Sequence, residues 1–408
     1  MHRRRRSCGE SSLALAQRPV TGRLLRLSLL AGGWAALALV LALVGAIIDA
    51  WPALGTKPRD ARLERIQKSP QFRGGKFVDT IPRIDPDVLE ASLRWFKGVD
   101  HSQPLEPLPV LLRQSADFAA VAGSGLRITW FGHSSLLVEI EGKRLLLDPV
   151  WSERCSPTRV VGPKRFHPVP IALGELPKSD AVLISHDHYD HLDHATVVEL
   201  AQQNPMFVVP LGVGAHLEYW GIDKSRIREL DWWKETSLGT LRLVATPARH
   251  FSGRGLGADA TLWSGWAVIG VERRVYYSGD TAMFEGFEQI GERLGPFDAT
   301  MIESGAYDAM WADVHLGPEQ AVAAHRAVRG RVLFPVHWGT FDLALHTWVE
   351  PMERVLLAAQ SAKVSVVAPK PGQSIDPLAP PRVERWWPRV PWKKATEAPV
   401  VSSGLAKN

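Results

Sequence analysis

The segment from His186 to His191 constrains this chain more than any other, because it concentrates metal-binding side chains in one short loop. The apolar run Ala181–Ile184 before it predicts a buried strand, so the loop begins at the carboxyl end of that strand, where α/β proteins tend to place their sites. A lone histidine is usually a core or surface residue, and a set in one loop favours a metal site instead. The candidate ligands are His186 and His188, which share one face of an extended loop, and Asp190 and His191, which can face a second ion.

Three further candidates stand at the ends of other apolar, strand-like segments. His250 follows LRLVATPAR, Asp280 follows RVYYSG and His337 follows VLFPV. Each alone is a weak signal, but a shared place at strand ends is what one converging site requires. Asp280 can bridge two metal ions because a carboxylate has two oxygens. We therefore predict a two-metal site that draws on all these segments.

Strand and helix patterns alternate across residues 125–372, which predicts one large α/β or α+β domain. The Pro-rich residues 51–124 are predicted to be an N-terminal extension or linker that packs on this domain. Residues 1–50 form a basic tail and an apolar run, and residues 373–408 form a Pro-, Trp- and base-rich tail. That last tail is interpreted either as disordered or surface-packed, or as a membrane-surface contact through Trp386, Trp387 and Trp392.

Charge is concentrated at the two ends of the chain. The net charge is +5, of which residues 1–26 carry +6 and residues 376–408 carry +3, leaving −4 between them. A mildly acidic body disfavours a nucleic-acid partner. The chain's two cysteines, Cys8 and Cys155, exclude a disulfide scaffold or a four-cysteine zinc site.

Residues 27–48, LSLLAGGWAALALVLALVGAII, contain 22 residues without a charge behind an arginine block. A bilayer core of ~30 Å needs about 20 helical residues, so the run predicts a single uncleaved transmembrane anchor. A buried core helix and a cleaved signal peptide are the alternatives. The arginines predict a cytoplasmic N-terminus and a catalytic domain on the non-cytoplasmic side. Cys155 is then a single thiol on that side, with no internal disulfide.

The sequence pattern resembles a known family. H-x-H-x-D-H, a spaced histidine, SGD and a late histidine resemble the metallo-β-lactamase superfamily. Blocks between about residues 69 and 370, such as TWFGHSSLLVEIEG, GPKRFHPVPIALGELP and HWGTFDLALHTWVEP, are similar to the branch that contains N-acylphosphatidylethanolamine-hydrolysing phospholipase D and its bacterial relatives. This resemblance implies an αββα sandwich with a two-metal site at one edge. The implied ligands are His186, His188 and His250 for the first metal, Asp190, His191 and His337 for the second, and Asp280 as the bridge.

The resemblance implies a hydrolase with two Zn²⁺ per chain, the identity of the second metal being left open. The superfamily's iron-dependent redox branch is expected to have glutamate where this chain has His188, which favours zinc hydrolysis. Metal coordination lowers the pKa of water from 15.7 toward about 7. The leading hypothesis is a membrane-anchored phosphodiesterase of phospholipase D type, in which a metal-bridging hydroxide attacks N-acylphosphatidylethanolamine-like phospholipids. Asp190 is its candidate catalytic residue, both coordinating and orienting the nucleophile.

Two other functions stay open at this point. One is hydrolysis of a soluble ester, such as a sugar-phosphate lactone or a nucleotide phosphodiester. The other is a non-catalytic metal-binding membrane protein, against which the complete ligand set argues, since structural zinc sites are usually closed and four-coordinate. A homo-oligomer is also left open.

Seven further side chains are candidates for supporting roles, each with a structural alternative. His315, before a helical PEQAV segment, is predicted to contact the phosphoryl oxygen or assist the leaving group as a catalytic residue. The others are His133 and His346, predicted to hold a ligand by a hydrogen bond, Lys164 and Arg165, predicted to meet a phosphate, and Glu303 and Tyr307, predicted to line the pocket.

Overall fold

A computed structural model describes residues 20–84, 86–255 and 257–405, with side chains described from residue 27 onward. Cys8 and the side chains of the arginines before Leu27 therefore lie outside this description. The membrane orientation that was predicted from those arginines lies outside it as well. The chain divides into two compact units, residues 1–48 and 49–408. The helices are α1 Val20–Ala50, α2 Asp60–Ile66, α3 Val88–Lys97, α4 His194–Ala201, α5 Gly214–Tyr219, α6 Gly286–Arg293, α7 Pro318–Ala327 and α8 Glu350–Ala362.

Helix α1 carries the apolar run. Among the described residues, the segment Leu27–Ala50 is the one helix long and apolar enough to cross a membrane, with a mean hydropathy of 2.3, and none of it is buried. Because a core helix buries its apolar side chains, the alternative of a buried core helix is wrong. A membrane anchor and a signal sequence both remain compatible with its length, composition and place near the N-terminus.

Two seven-stranded sheets form the second unit, in the orders β18-β3-β4-β5-β6-β7-β8 and β17-β16-β15-β14-β13-β10-β9, and two-stranded hairpins β1-β2 and β11-β12 stand beside them. The strands are β1 Phe72–Arg73, β2 Lys76–Phe77, β3 Leu126–Gly132, β4 Ser135–Ile140, β5 Lys143–Leu147, β6 Ala181–Leu183, β7 Met206–Pro210, β8 Ile227–Leu230, β9 Glu235–Leu238, β10 Leu241–Thr246, β11 Gly253–Arg254, β12 Gly257–Ala258, β13 Gly265–Ile269, β14 Arg274–Tyr277, β15 Phe297–Glu303, β16 Gly330–Val336, β17 Ser365–Val366 and β18 Ser374–Ile375.

Alternation of side chains along the first sheet produces the layers. On one face Leu136 and Val138 pack with Leu243 and Trp266 of the second sheet. On the other face Leu137 packs with residues of α4 and α5, while α7 lies on the far sheet against β15 and β16. Successive strand side chains point to opposite faces, so both sheets are covered on both sides. The predicted αββα sandwich is confirmed.

Parallel pairing fixes where the loops of the site emerge. Strands β5 to β8 run parallel to one another in the first sheet, and β14 to β17 do so in the second. Their carboxyl ends therefore gather at one edge of each sheet. Loops that follow these strands meet there, as the strand-end argument predicts.

The residues on either side of the predicted domain also pack on it. From the N-terminal extension, Ile66 and Phe77 are buried with Leu211 and Trp263 in a core cluster of their own. From the C-terminal tail, β18 pairs antiparallel with β3. The predicted boundaries at residues 124 and 372 stay predictions, and both flanking segments contribute to the buried structure.

Two tryptophans of the C-terminal tail face protein. Trp387 is buried, and the rings of Trp386 and Trp387 each lie 5.4 Å from the ring of Trp338, which in turn stacks on Trp130. Trp387 Nε1 also donates to a glutamate of α8. For these two residues, the interpretation as membrane-surface contacts gives way to aromatic packing.

Candidate metal centre

The predicted ligands gather at the edge where the strands end. His186 to His191 follow β6, His250 follows β10, Asp280 follows β14 and His337 follows β16 directly. The backbones of His133 and His337 are left-handed, with φ of 53° and 64°. Such conformations are costly for residues other than glycine and tend to collect at functional sites.

Three ring nitrogens form the first group of candidate ligands. His186 Nε2 lies 2.8 Å from His188 Nδ1, and His250 Nε2 lies 3.3 Å from the same atom. His250 Nδ1 donates to Val314 O at 2.7 Å. His186 Nδ1 donates to Ser185 Oγ at 2.9 Å, because that hydroxyl gives its own proton to Asp148. The Nε2 atoms of both rings are therefore left as lone pairs aimed at His188, an arrangement that a cation satisfies.

Burial sets the protonation of this first group. It lowers the pKa of His186 and of His250 well below the ordinary value, and it also lowers the pKa of His188. All three rings are thereby kept neutral, the form in which imidazole binds a metal.

The second group of candidate ligands joins a carboxylate to three rings. Asp190 Oδ2 lies 3.0 Å from His133 Nε2, 3.2 Å from His337 Nε2 and 3.4 Å from His191 Nε2. Burial alone would raise the pKa of Asp190, but the facing rings, His191 first, hold it well below its usual range. Asp190 is therefore a carboxylate, as a metal ligand must be.

Asp280 lies between the two groups. Its Oδ2 atom is 3.0 Å from His337 Nε2 and 3.1 Å from His191 Nε2, and it is 3.8 Å from the Nε2 atoms of His186 and of His250. The geometry allows one carboxylate to serve both groups.

Unsatisfied polar atoms test whether this arrangement fits a metal. His191 Nε2, both ring nitrogens of His337 and Asp280 Oδ1 are buried and make no hydrogen bond. Buried polar groups are nearly always hydrogen-bonded, so buried atoms without a partner call for a specific explanation, such as a bound ion. Burial lowers the pKa of His191, but the carboxylates of Asp280 and Asp190 raise it well above its ordinary value. These two carboxylates therefore favour a positive charge at the His191 ring, which a bound metal ion would supply. The residues present fit a two-metal centre.

Comparisons with known proteins agree with this geometry. The family described as "Beta-lactamase superfamily domain" matches residues 143–338. An uncharacterized protein of Mycobacterium tuberculosis is 47% identical, covering 88% of this chain and 98% of that protein. N-acyl-phosphatidylethanolamine-hydrolyzing phospholipase D 1 of Caenorhabditis elegans is 40% identical, covering 57% of this chain and 69% of that protein. The chain belongs to the metallo-β-lactamase superfamily.

Two more distant similarities bear on the enzyme class and on the fold, one each. A metal-dependent hydrolase of Pyrobaculum aerophilum is 31% identical, covering 60% of this chain and 97% of that protein. The crystal structure of a possible metal-dependent hydrolase from Veillonella parvula is 16% identical with a TM-score of 0.51, covering 61% of this chain and 98% of that one, and it shows the fold alone. The predicted enzyme class, a metal-dependent hydrolase, is confirmed.

One residue of the centre escaped the sequence analysis. Asp148 directly follows β5 and is fully buried, with a left-handed backbone at φ of 35°. It accepts hydrogen bonds from His191 Nδ1 at 2.7 Å, from Ser185 N at 2.7 Å and from Tyr277 Oη at 2.5 Å. Its carboxylate orients the His191 ring and leaves Nε2 facing the centre. The strand-end rule that singled out Asp280 applies equally to Asp148 and would have found it.

His315 and Glu303 form a pair at the rim of the centre. His315 Nδ1 donates to Glu303 Oε2 at 2.8 Å, and Glu303 Oε1 accepts from Thr281 N at 2.5 Å. The same Nδ1 atom stands 4.0 Å from Asp280 Oδ2. Burial raises the pKa of Glu303. Glu303 thus lies beneath His315 as its orienting partner, whereas the sequence suggested only a pocket-lining role.

His133 and His346 occupy different environments. The His133 ring belongs to the second group through its contact with Asp190, and burial lowers its pKa to about 3, with His337 adding to the effect. His346 instead donates from Nε2 to Gly305 O at 2.6 Å and stacks on Tyr307. It supports the loop before His315 and does not touch the metal groups in the described structure.

The remaining candidates are engaged away from the ligand groups. Lys164 pairs with Glu153 at the surface, at 2.7 Å. Arg165 is buried and donates to Val150 O and Phe131 O, at 2.8 Å and 3.0 Å. Tyr307 donates to Glu350. The structure therefore does not bring Lys164, Arg165 or Tyr307 into hydrogen-bonding contact with the ligand groups that it describes.

Proposed function

We propose that this protein is a membrane-anchored, zinc-dependent phosphodiesterase of phospholipase D type that acts on N-acylphosphatidylethanolamine-like phospholipids. The observation that carries the proposal is the place of Asp280 between two groups of imidazoles, which suits a pair of metal ions. The 40% identity to a phospholipase named for that substrate supports the lipid class.

The proposed ligands are those that the resemblance implies. His186, His188 and His250 would hold the first zinc ion. Asp190, His191 and His337 would hold the second, and Asp280 would bridge the two. Imidazole and carboxylate in this mixture suit zinc. When bound, two zinc ions lower the pKa of water toward neutrality and offset the negative charge that develops on phosphoryl oxygens.

Three side chains of the chain would complete the chemistry. Asp190 presents its carboxylate oxygen at the centre, where it can orient a water molecule toward phosphorus. His315 is held by Glu303 through Nδ1 and lies at the rim of the centre, with Nδ1 4.0 Å from Asp280 Oδ2. It can donate a hydrogen bond to a phosphoryl oxygen or a proton to the departing alkoxide when protonated. Glu303 fixes the orientation of the His315 ring through its hydrogen bond to Nδ1.

Membrane attachment through residues 27–48 would place such a site near its substrate. The apolar side chains of α1 between Leu27 and Ile48 are largely exposed, which suits a lipid environment. The arginine block predicts an N-terminus in the cytoplasm and a catalytic domain on the other side. A topology reporter fused after Asn408 tests this orientation, and reporter activity in the cytoplasm would contradict it.

The decisive experiment is product analysis with isotopically labelled water. The full chain is reconstituted with N-acylphosphatidylethanolamine vesicles in H₂¹⁸O, with and without a chelator. We expect N-acylethanolamine and phosphatidic acid, with ¹⁸O in the phosphatidic acid because water attacks phosphorus, and loss of both products with chelator until zinc is restored. Hydrolysis of a soluble phosphodiester or lactone without any turnover of lipid would favour the soluble-ester alternative.

A further inference from the structure

Residues 51–58 follow helix α1, and this segment, called the strap here, is held on the body through its own backbone. Pro52 O accepts a hydrogen bond from Trp220 Nε1 at 2.8 Å. Ala53 O accepts one from Arg254 Nε at 2.5 Å. Trp220 directly follows α5 and Arg254 lies in the β11–β12 hairpin, so the strap joins two elements that flank the histidine loop.

A relay of hydrogen bonds leads from the strap to Asp187. Thr56 N donates to His216 Nδ1 at 3.0 Å, and His216 Nε2 lies 3.3 Å from Asp187 Oδ2. A backbone N–H can only donate, so Nδ1 accepts and the neutral ring carries its proton on Nε2, toward Asp187. The Asp187 carboxylate also accepts from Gly253 N and Thr261 Oγ1, at 2.8 Å and 2.9 Å. The strap, the His216 ring and the Asp187 carboxylate are therefore joined by a continuous chain of hydrogen bonds.

A second connection reaches the backbone of the same residue. Arg254 is buried and donates from Nη1 to Asp187 O at 2.7 Å while its Nε holds Ala53 O. Its guanidinium also lies 4.3 Å above the centre of the Tyr189 ring. The strap is thus coupled to both the carboxylate and the carbonyl of Asp187, which stands between the candidate ligands His186 and His188.

The strap is also short. Helix α1 ends at Ala50, three residues before Ala53. An extended chain spans at most about 3.3–3.6 Å per residue, so the Arg254 contact lies within roughly 11 Å of the helix end. Ala50, where the helix ends, is therefore joined to the Arg254 contact by three residues of chain.

We propose that the strap is a positioning element for the metal centre, which holds the histidine loop in its ligating conformation through His216 and Arg254. The proposal rests on the metal centre proposed above. In this proposal the strap does more than connect the apolar helix to the body, because it also supports the histidine loop of the site. Outer partners of metal ligands typically change metal affinity by 10–100-fold when they are lost.

Gly55 offers a sharp test with a matched control. Its φ is +66°, and a Cβ placed there would lie 2.1 Å from His216 Nδ1. Gly74 in the same extension has φ +60° and nothing within 4 Å of an added Cβ. Gly55→Ala and Gly74→Ala both place a Cβ on a residue with positive φ, and only the former sets that Cβ against His216.

The first measurement is the zinc affinity of the full chain in detergent micelles, by competition with a chromophoric chelator. We expect Gly55→Ala to weaken the tighter site by about tenfold or more, with Gly74→Ala close to the wild type. The second measurement is hydrogen exchange of residues 187–192 in zinc-free protein, which we expect to be faster in Gly55→Ala alone. Wild-type affinity and wild-type exchange in Gly55→Ala would overturn the proposal.

A milder variant keeps the test decisive if Gly55→Ala does not fold. Trp220→Phe removes the hydrogen bond to Pro52 O and keeps an aromatic ring, so we expect a loss of about two- to tenfold in zinc affinity. No loss in affinity and no change in exchange would again overturn the proposal. Neither readout needs a lipid substrate. A wild-type chain that binds zinc but leaves the phospholipid intact therefore contradicts the proposed function alone.

Discussion

Asp190 serves the centre with a single oxygen atom, which faces three imidazole rings at 3.0–3.4 Å. Asparagine keeps the size of the side chain but loses the charge that a metal and a polarised water require. We expect Asp190→Asn to lower kcat by about 10²–10⁴-fold while the far-UV circular dichroism is retained. Asp223→Asn, at an exposed turn where Asp223 caps Ser225, is the control and is expected to keep full activity. Unchanged turnover in Asp190→Asn would contradict its role.

Asp148 affects the centre indirectly, through its hydrogen bond to the candidate ligand His191. In Asp148→Asn an amide replaces a carboxylate that accepts from His191, Ser185 and Tyr277. We expect zinc affinity to fall by about 10–100-fold. Equilibrium dialysis against graded chelator measures it. Retention of both zinc ions at wild-type affinity would show that the His191 ring needs no such partner.

At the scale of elements, helix α7 is joined to strand β15 by a buried histidine. His325 Nδ1 lies 2.6 Å from Thr300 Oγ1, and burial lowers the pKa of His325 to about 4. A histidine whose pKa is lower folded than unfolded, here about 4 against 6.5, contributes stability above pH 6.5. That stability is lost as the pH falls from 6.5 toward about 4.

This linkage predicts a pH dependence specific to one residue. Between pH 7 and pH 5, His325 alone is expected to lower the free energy of unfolding by about 2 kcal/mol. His325→Asn keeps a polar atom near the position of Nδ1 and does not titrate, so its unfolding free energy is expected to fall less over the same range. Urea unfolding of both chains at each pH measures the difference, and parallel curves would refute the assignment.

Elements were predictable where one stretch of sequence carries its own signal. Apolar runs that end in histidine or aspartate, as before His186, Asp280 and His337, predicted both the strands and the edge where they meet. Glu303 was harder, because its role depends on His315, which only folding brings to it. Trp386 and Trp387 show the same limit. Composition alone does not distinguish tryptophans that contact a membrane surface from tryptophans that pack on another ring, here that of Trp338.

At the scale of the whole molecule, both flanking segments close on the loop that bears His250. Arg249 is buried, pairs with Asp313 at 3.0 Å and donates to Ser403 O at 2.9 Å. It also donates to Pro82 O of the N-terminal extension, at 3.3 Å. The sequence near Arg249 does not predict partners that lie so far away along the chain, because these contacts form only in the folded protein.

Shortening the tail tests this closure. A chain that ends at Val400 loses Ser402 and Ser403 and leaves the Arg249 guanidinium with fewer partners, whereas a chain that ends at Ser403 keeps them. Unsatisfied buried groups cost about 1–3 kcal/mol each. We expect the shorter chain to unfold at a temperature lower by about 2–6 °C and to bind zinc more weakly, with the longer chain near the wild type. Equal melting temperatures in calorimetry would contradict this.

The place of Ser403 also orders events in time. A ribosome makes the chain from its N-terminus at about 5–20 residues per second, so Ser403 is released well after the histidine loop and the strap. The brace on Arg249, next to the candidate ligand His250, is completed only then. The surroundings of His250 are therefore expected to be completed after the histidine loop and the strap have left the ribosome.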